Sequence, residues 1–444
     1  MKNRNSIYLF LILAAGFFLR IYKIASNYYF TGELGKELLY IRQFAVSHSV
    51  PLIGMTTSHD WLAYGPLYYW LMIPIFNLFS GSPYILFWTG LVVSMLGLMV
   101  NYFVFKKIAG ERIAIFSTMI QAFSPILIWQ TRLSKLHVFF FLIMPIFTYL
   151  LYLVWNGKKK WIFWAGLTFG LLFSFHFSQI PLLGVVVLLF WVKKASYKFR
   201  DWLLFGLGVL LPNLTLIWQD RNLALWLPYR VVNLLDTSPA GTWQSLLDYF
   251  GRTMFWDSRL WLIGLSAFAA LFVHYISQNK RKLSKDFLPF YLISSISLML
   301  IATVVHGAPP VHYFLPIFTT VPVLLALYLQ NFKFWPLIFV PVVVVNLISF
   351  INSPVFYKAF TSLIPGTEMV PISTQKAAAS FVVMHAEGKP LSIKRVGVYD
   401  YFPETYSQNY KYLVLWKGGN LLDTSKNSYT ITEDSEKGAV SVQK

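Results

Sequence analysis

No cysteine occurs among the 444 residues, so no disulfide, thiolate nucleophile or cysteine-ligated metal is available to the chain. Acids are scarce too. Only 18 Asp and Glu stand against 37 Lys and Arg, and charged residues of both signs make up 12% of the chain, about half the share of a soluble globular protein. The space is filled by apolar residues, at 57% of the sequence with a mean hydropathy of +0.57. That apolarity over 444 residues excludes a single soluble core and implies a polytopic membrane protein. The net charge of +19 does not point to nucleic acid, because the basic residues fall between hydrophobic runs, where they act as topology signals. The opening MKNR followed by IYLFLILAAGFFL imitates a signal peptide. No small-x-small cleavage site follows, so an uncleaved first span is expected.

Runs of about 17–25 apolar residues suffice to cross a bilayer. They fall at roughly 6–25, 85–105, 113–129, 137–155, 161–177, 180–192, 202–218, 260–277, 287–305, 312–329 and 334–351. Segment 67–80, which follows Pro66 and is rich in aromatics, is about 14 residues long and suits an interfacial helix better than a crossing. With that choice MKNR, KKIAGER, NGKKK, KKASYKFR, QNKRKLSK and Lys333 all collect on one side, as the positive-inside bias requires. The expectation is therefore an all-α polytopic protein of about eleven spans with juxtamembrane helices, multi-pass in the plasma (inner) membrane, with a cytoplasmic N-terminus. Residues 1–351 form the membrane domain, with a first outer loop at 26–84. Residues 352–444 form a small extracytoplasmic α/β domain, in which GKPLSIKRVGVYDY, YKYLVLW and NSYTITE alternate like short strands after the helix-like TQKAAASFVVMHAE. No internal repeat is visible, which weakens an inverted-repeat transporter reading.

On the outer face the first loop carries FTGELGKELLYIRQF. On a helix Glu33, Lys36, Glu37 and Tyr40 share one face, and two glutamates at i,i+4 repel by a few tenths of a kcal/mol. One reading is a solvated helix balanced by Lys36 and Arg42. The other is a general base beside a cationic subsite, its carboxylate tuned by a partly apolar cavity. The next segment, TSHDWLAYGPLYYW, offers His59, Asp60 and Tyr64 as cavity residues, while Tyr68, Tyr69 and Trp70 read as an aromatic belt. WQTRLSKLH supplies Arg132, Lys135 and His137, a cationic set suited to a phosphate or to headgroup snorkelling. His176, Gln179, His306, His312 and Tyr313 complete the outer set. Their spacing contains no HxxxH or HxH pair, so neither a metal nor another cofactor is expected.

These features together resemble the GT-C superfamily of integral-membrane glycosyltransferases, in the branch of protein O-mannosyltransferases and lipid A aminoarabinose transferases. The resemblance lies in an acid just after the first span, the GPLYYW helix, Ser124-Pro125 late in the third span, and an outer histidine motif before a late span. Bacterial members carry a pattern like DQGRDALYARD, which GELGKELLYIRQ matches position by position: Glu33 at the acidic base, Gly35 at the glycine, Lys36 at the basic residue, Glu37 at the second acid. Here both acids are Glu rather than Asp, Leu34 replaces a polar residue, and the QTRLSK turn lacks the acid found in many aminoarabinose transferases. A second acid from that turn is therefore not carried over.

The resemblance implies a metal-independent, inverting transfer of a hexose or pentose from a polyprenyl-phosphate-linked donor to a lipid, protein or glycan acceptor. Glu33 would be the base and Glu37 its helper, with Lys36, Arg132, Lys135 and His137 on the donor phosphate. The partners implied are the donor, the acceptor and the lipid bilayer, with no nucleic acid. A transporter or lipid flippase is the competing class, marked by charged or broken segments at mid-membrane depth. Few acids lie at depth in these spans, which favours an interfacial enzyme.

Overall fold

A computed structural model of the chain describes residues 2–28, 30–55, 63–133, 135–219, 254–255, 260–306, 315–352, 370–396, 407–434 and 438–444. Among the described residues the regular elements of the amino-terminal part are helices. Its elements are α1 (Lys2–Ile21), α2 (Ile24–Asn27), α3 (Gly32–Val46), α4 (Leu67–Leu78), α5 (Ile85–Ala109), α6 (Glu111–Phe123), α7 (Pro125–Leu133), α8 (Phe140–Trp155), α9 (Ile162–Phe175), α10 (Pro181–Val192), α11 (Phe199–Leu210) and α12 (Leu214–Gln219). Four later helices follow: α13 (Trp261–Asn279), α14 (Phe287–His306), α15 (Leu315–Leu329) and α16 (Trp335–Asn352).

All eleven apolar runs are helical within the described residues. Among the described residues, and by length and apolarity alone, four stretches suffice to cross a bilayer: Ile85–Ala109, Leu136–Trp155, Phe199–Trp218 and Leu262–Lys282. They are five if the bent pair Glu111–Phe123 and Pro125–Leu133 is one span, fewer than the eleven expected. The third expected span is not straight. Pro125 has no N–H and disfavours helical geometry at the residue before it. Ser124 is accordingly extended (φ −63°, ψ 120°) and α7 leaves α6 at 58°. Helix α4 has 12 residues, about 18 Å at 1.5 Å per residue, which is too short to span.

Two of the basic loops meet at one end of the bundle. Lys159, between α8 and α9, pairs with Asp201 of α11 at 3.4 Å and lies over the Tyr197 ring. Lys193, after α10, sits 4.1 Å from the centre of the Trp155 ring at the end of α8. The opposite ends of α8 and α9 hold the residues discussed below.

The carboxy-terminal unit contains α17 (Ile372–Ala386), β1 (Ser392–Val396), α18 (Gln408–Trp416), β2 (Ser428–Asp434) and β3 (Ala439–Gln443). Its sheet runs in the order β1-β2-β3. β1 and β2 are parallel from Ser392↔Ser428 to Val396↔Thr432, and β2 and β3 antiparallel from Thr430↔Gln443 to Asp434↔Ala439. YKYLVLW, expected as a strand, is helical. So short an apolar run reads alike in both periods, and here Asn409, Tyr410, Leu413 and Val414 are buried at helical spacing.

Candidate active site

Thr31 starts α3 by accepting a hydrogen bond from the Leu34 N–H at 3.2 Å, which satisfies one of the free donors of the first turn. Glu33 lies in that turn, where a negative charge suits the helix dipole. Its side chain is about half exposed (51%), and its carboxylate is paired with Lys135. Lys135 stands between α7 and the 3₁₀ turn Leu136–Phe139. The charge of Lys135, with a smaller contribution from Lys36, holds the Glu33 carboxyl below the usual carboxylate range despite the opposing effect of burial.

One helical turn on, Glu37 is buried at 4% exposure and accepts a hydrogen bond from the Tyr68 hydroxyl. Burial pushes its carboxyl up to about 7, because the charged form loses its hydration. The hydrogen bond from Tyr68 and the charge of Lys135 oppose that rise, and Glu33 adds to it. The two acids on one helical face thus differ: Glu33 is accessible with its carboxyl held low, Glu37 is desolvated with its carboxyl pushed up.

Tyr68 is delivered by α4, whose position follows from its first residues. The Gly65 N–H donates to the Ser174 carbonyl at 2.8 Å. A Cβ at Gly65 would come within 1.7 Å of Ser174 Oγ, so only glycine permits this approach of the chain to the end of α9. The Tyr40 hydroxyl donates to the Ile53 carbonyl at 2.8 Å, the Trp70 indole to the Pro51 carbonyl at 2.7 Å, and the Tyr40 and Tyr69 rings stand 4.8 Å apart. α3, α4 and the loop between them are thereby stitched together.

The turn after α9 adds His176, whose ring lies 4.9 Å from that of His137 and 5.5 Å from that of Tyr64. Its Nδ1 accepts from the Ser178 N–H at 3.1 Å, and Gln179, fully buried, donates to Ser178 Oγ at 2.8 Å. Glu33, Glu37, Tyr64, Lys135, His137, His176 and Gln179, remote in sequence, are therefore gathered at one end of the bundle. Arg132 is engaged elsewhere. It is buried, and its Nη1 donates to the carbonyls of Arg20 (3.2 Å) and Tyr22 (2.7 Å) at the end of α1. Lys36, partly exposed on α3, acts on Glu33 through its charge. His59, Asp60, His312 and Tyr313 lie outside the described residues, as does the side chain of His306. Tyr68, expected in an aromatic belt, donates its hydroxyl to Glu37, and nothing in GPLYYW distinguishes a tyrosine that meets a carboxylate from one that meets headgroups.

Residues 63–218 match the family described as dolichyl-phosphate-mannose-protein mannosyltransferase. Solved structures extend the likeness over the rest of the chain. The apo structure of ArnT from Cupriavidus metallidurans aligns with a TM-score of 0.61 at 12% identity, covering 97% of this chain and 94% of that one. The same protein bound to undecaprenyl phosphate aligns at 0.57 and 12% identity, covering 97% and 93%. The chain has the GT-C fold. Within the GT-C group the archaeal oligosaccharyltransferase AglB from Archaeoglobus fulgidus, in complex with an inhibitory peptide and a dolichol-phosphate, aligns at 0.51 and 11% identity, covering 97% of this chain and 69% of that one. No curated protein sequence matches the chain. In this GT-C fold the acidic helix α3, the short helix α4 and the turns before α8 and after α9 enclose one cluster.

Proposed function

We propose that the protein is an integral-membrane glycosyltransferase that transfers a sugar from a polyprenyl-phosphate-linked donor to an acceptor hydroxyl on the extracytoplasmic face. The observation that carries the reading is the pairing of Glu33 with Lys135 at the end of α8 and α9 opposite the basic loops. The positive-inside bias places those loops in the cytoplasm, which puts the carboxylate and its lysine outside. The mannosyltransferase-family match and the likeness to a structure holding undecaprenyl phosphate support a lipid-phosphate donor.

Glu33 takes the acceptor's hydroxyl proton, the acceptor oxygen attacks the anomeric carbon, and the bond from that carbon to the phosphate oxygen breaks. A single displacement of this kind inverts the anomeric centre. The leaving group is a phosphate, which needs charge stabilisation more than a proton, and Lys135 supplies it, with Lys36 adding to the field. The ion pair gives this step an order. Without donor, Lys135 keeps Glu33 ionised and weakly basic. A donor phosphate competes for Lys135, which frees the Glu33 carboxylate and raises its basicity as the acceptor must be deprotonated. Glu37, held by Tyr68, keeps the far side of the helix face packed and orients Glu33. No metal enters this reading.

The test offers the purified protein in detergent a panel of polyprenyl-phosphate sugars and, separately, nucleotide sugars, each with hydroxyl-bearing lipid, peptide and glycan acceptors, and follows release of polyprenyl phosphate. Cleavage of a lipid-linked donor and not of nucleotide sugars is expected. Movement of the intact lipid-linked sugar across a vesicle membrane with no cleavage would instead make the protein a flippase.

A further inference from the structure

Helix α3 is held from behind. Gly35 lies two residues from both Glu33 and Glu37, which at 3.6 residues per turn places it on the face of the helix opposite both carboxylates. At Gly35 the backbone of α3 lies directly against the start of α18 in the carboxy-terminal unit. A Cβ there would meet the Asn409 nitrogen at 2.3 Å and the Asn409 Cα and Gln408 carbonyl carbon at 2.5 Å.

The contact is fastened by a fully buried pair of amides. Gln375 Nε2 donates to the carbonyl of Phe30, the residue before the N-cap of α3, at 3.1 Å and to that of Val370 at 2.9 Å. Asn409 Nδ2 donates to Gln375 Oε1 at 2.8 Å. Around them the Tyr412 hydroxyl donates to the Gly81 carbonyl, and Lys376 lies 5.4 Å from the centre of the Tyr84 ring. α18 is itself tied to the sheet, where Tyr410 donates to Glu433 at 2.6 Å and Glu433 pairs with Arg395.

The front of α3 has reason to move. It carries a desolvated carboxylate at Glu37 and a second acid one turn away, and both the cost of burial and their repulsion favour tilting the helix toward water. A rigid contact on the opposite face resists that tilt.

We infer that the carboxy-terminal unit is a clamp on α3, with Gln375 and Asn409 as positioning residues for the carboxylates of Glu33 and Glu37. Its functional meaning rests on the transferase reading. The clamp itself is independent of turnover.

The test therefore uses two measurements that need no substrate, on the full-length protein in detergent. Hydrogen exchange over residues 32–46 reports whether α3 is held. Labelling of Glu37 by dicyclohexylcarbodiimide, located by peptide mass spectrometry across a pH series, reports its environment, since this reagent takes protonated carboxyls in apolar surroundings. Glu37 is faced by Tyr68 and Tyr69 from α4, by Lys135 from the segment before α8, and by Glu33 on its own helix.

In the Gln375→Ala/Asn409→Ala double variant, exchange in 32–46 should quicken by about tenfold. The labelling midpoint of Glu37 should fall by about one pH unit as water reaches it. Lys389→Ala, exposed on the same unit, should change neither. Gly35→Ala should act like the double variant. If it fails to fold, the amide variants carry the test alone. Unchanged exchange and an unchanged labelling midpoint in the double variant would overturn the clamp, whatever the donor assay shows. A failure of the transferase reading would instead appear only in that assay.

Discussion

Glu33 and Lys135, 102 residues apart in the chain, form a partly exposed ion pair, while Arg132, three positions before that lysine, gives its Nη1 to two carbonyls at the end of α1. One short basic segment therefore contains a cation paired with Glu33 and another bound to the end of α1. Their variants should separate cleanly. Lys135→Ala is expected to weaken polyprenyl phosphate binding by about 10- to 100-fold, the value of one charge-assisted contact, with little change in thermal midpoint. Arg132→Ala is expected to leave that affinity unchanged and to cost about 1–3 kcal/mol of stability through the buried carbonyls it strands. Equal losses of affinity in both would place Arg132 on the phosphate as well.

Glu37 gives a pH signature. Its folded carboxyl is raised from 4.5 to about 7, so between these values the folded state binds more protons than the unfolded one and stability falls as pH rises through that window. Glu37→Gln keeps an acceptor for Tyr68 and removes the charge. It should raise stability at pH 8 by an amount on the order of 3 kcal/mol, read as a higher thermal midpoint, and change it far less at pH 5. A variant that destabilises equally at both pH values would show that the carboxylate itself is needed for packing.

The apolar runs, the short helix after Pro66 and the helical spacing of Glu33, Lys36, Glu37 and Tyr40 were legible because each is a local pattern. The partners of those residues were not. Nothing in QTRLSK announces that its lysine meets an acid a hundred residues earlier, and the three-residue spacing of Arg132 and Lys135 hides the fact that the helix carrying Arg132 turns away at Ser124-Pro125 and packs against α1. Tyr68 reads as an interfacial aromatic until its hydroxyl is seen on Glu37. YKYLVLW reads as a strand from its sequence because its burial is decided by α3 and α17, which local periodicity does not contain.

The absence of native cysteine makes sidedness directly measurable. Lys389→Cys, in the carboxy-terminal unit, should react with a membrane-impermeant maleimide on intact spheroplasts. Lys160→Cys, in the basic loop after α8, should react only after permeabilisation. Both positions are exposed. The reverse pattern would invert the topology and place the Glu33 cluster in the cytoplasm.

The most direct measurement is the rate of donor-dependent sugar transfer by Glu33→Gln, compared with the native protein at equal donor occupancy. Glutamine preserves size but cannot accept the acceptor's proton, so turnover should fall by about 10² or more while the protein folds and still binds polyprenyl phosphate. Glu33→Asp should retain part of the activity. Near-normal turnover in Glu33→Gln, together with its loss in Asp60→Asn, would contradict the account and move the base to the SHDW segment.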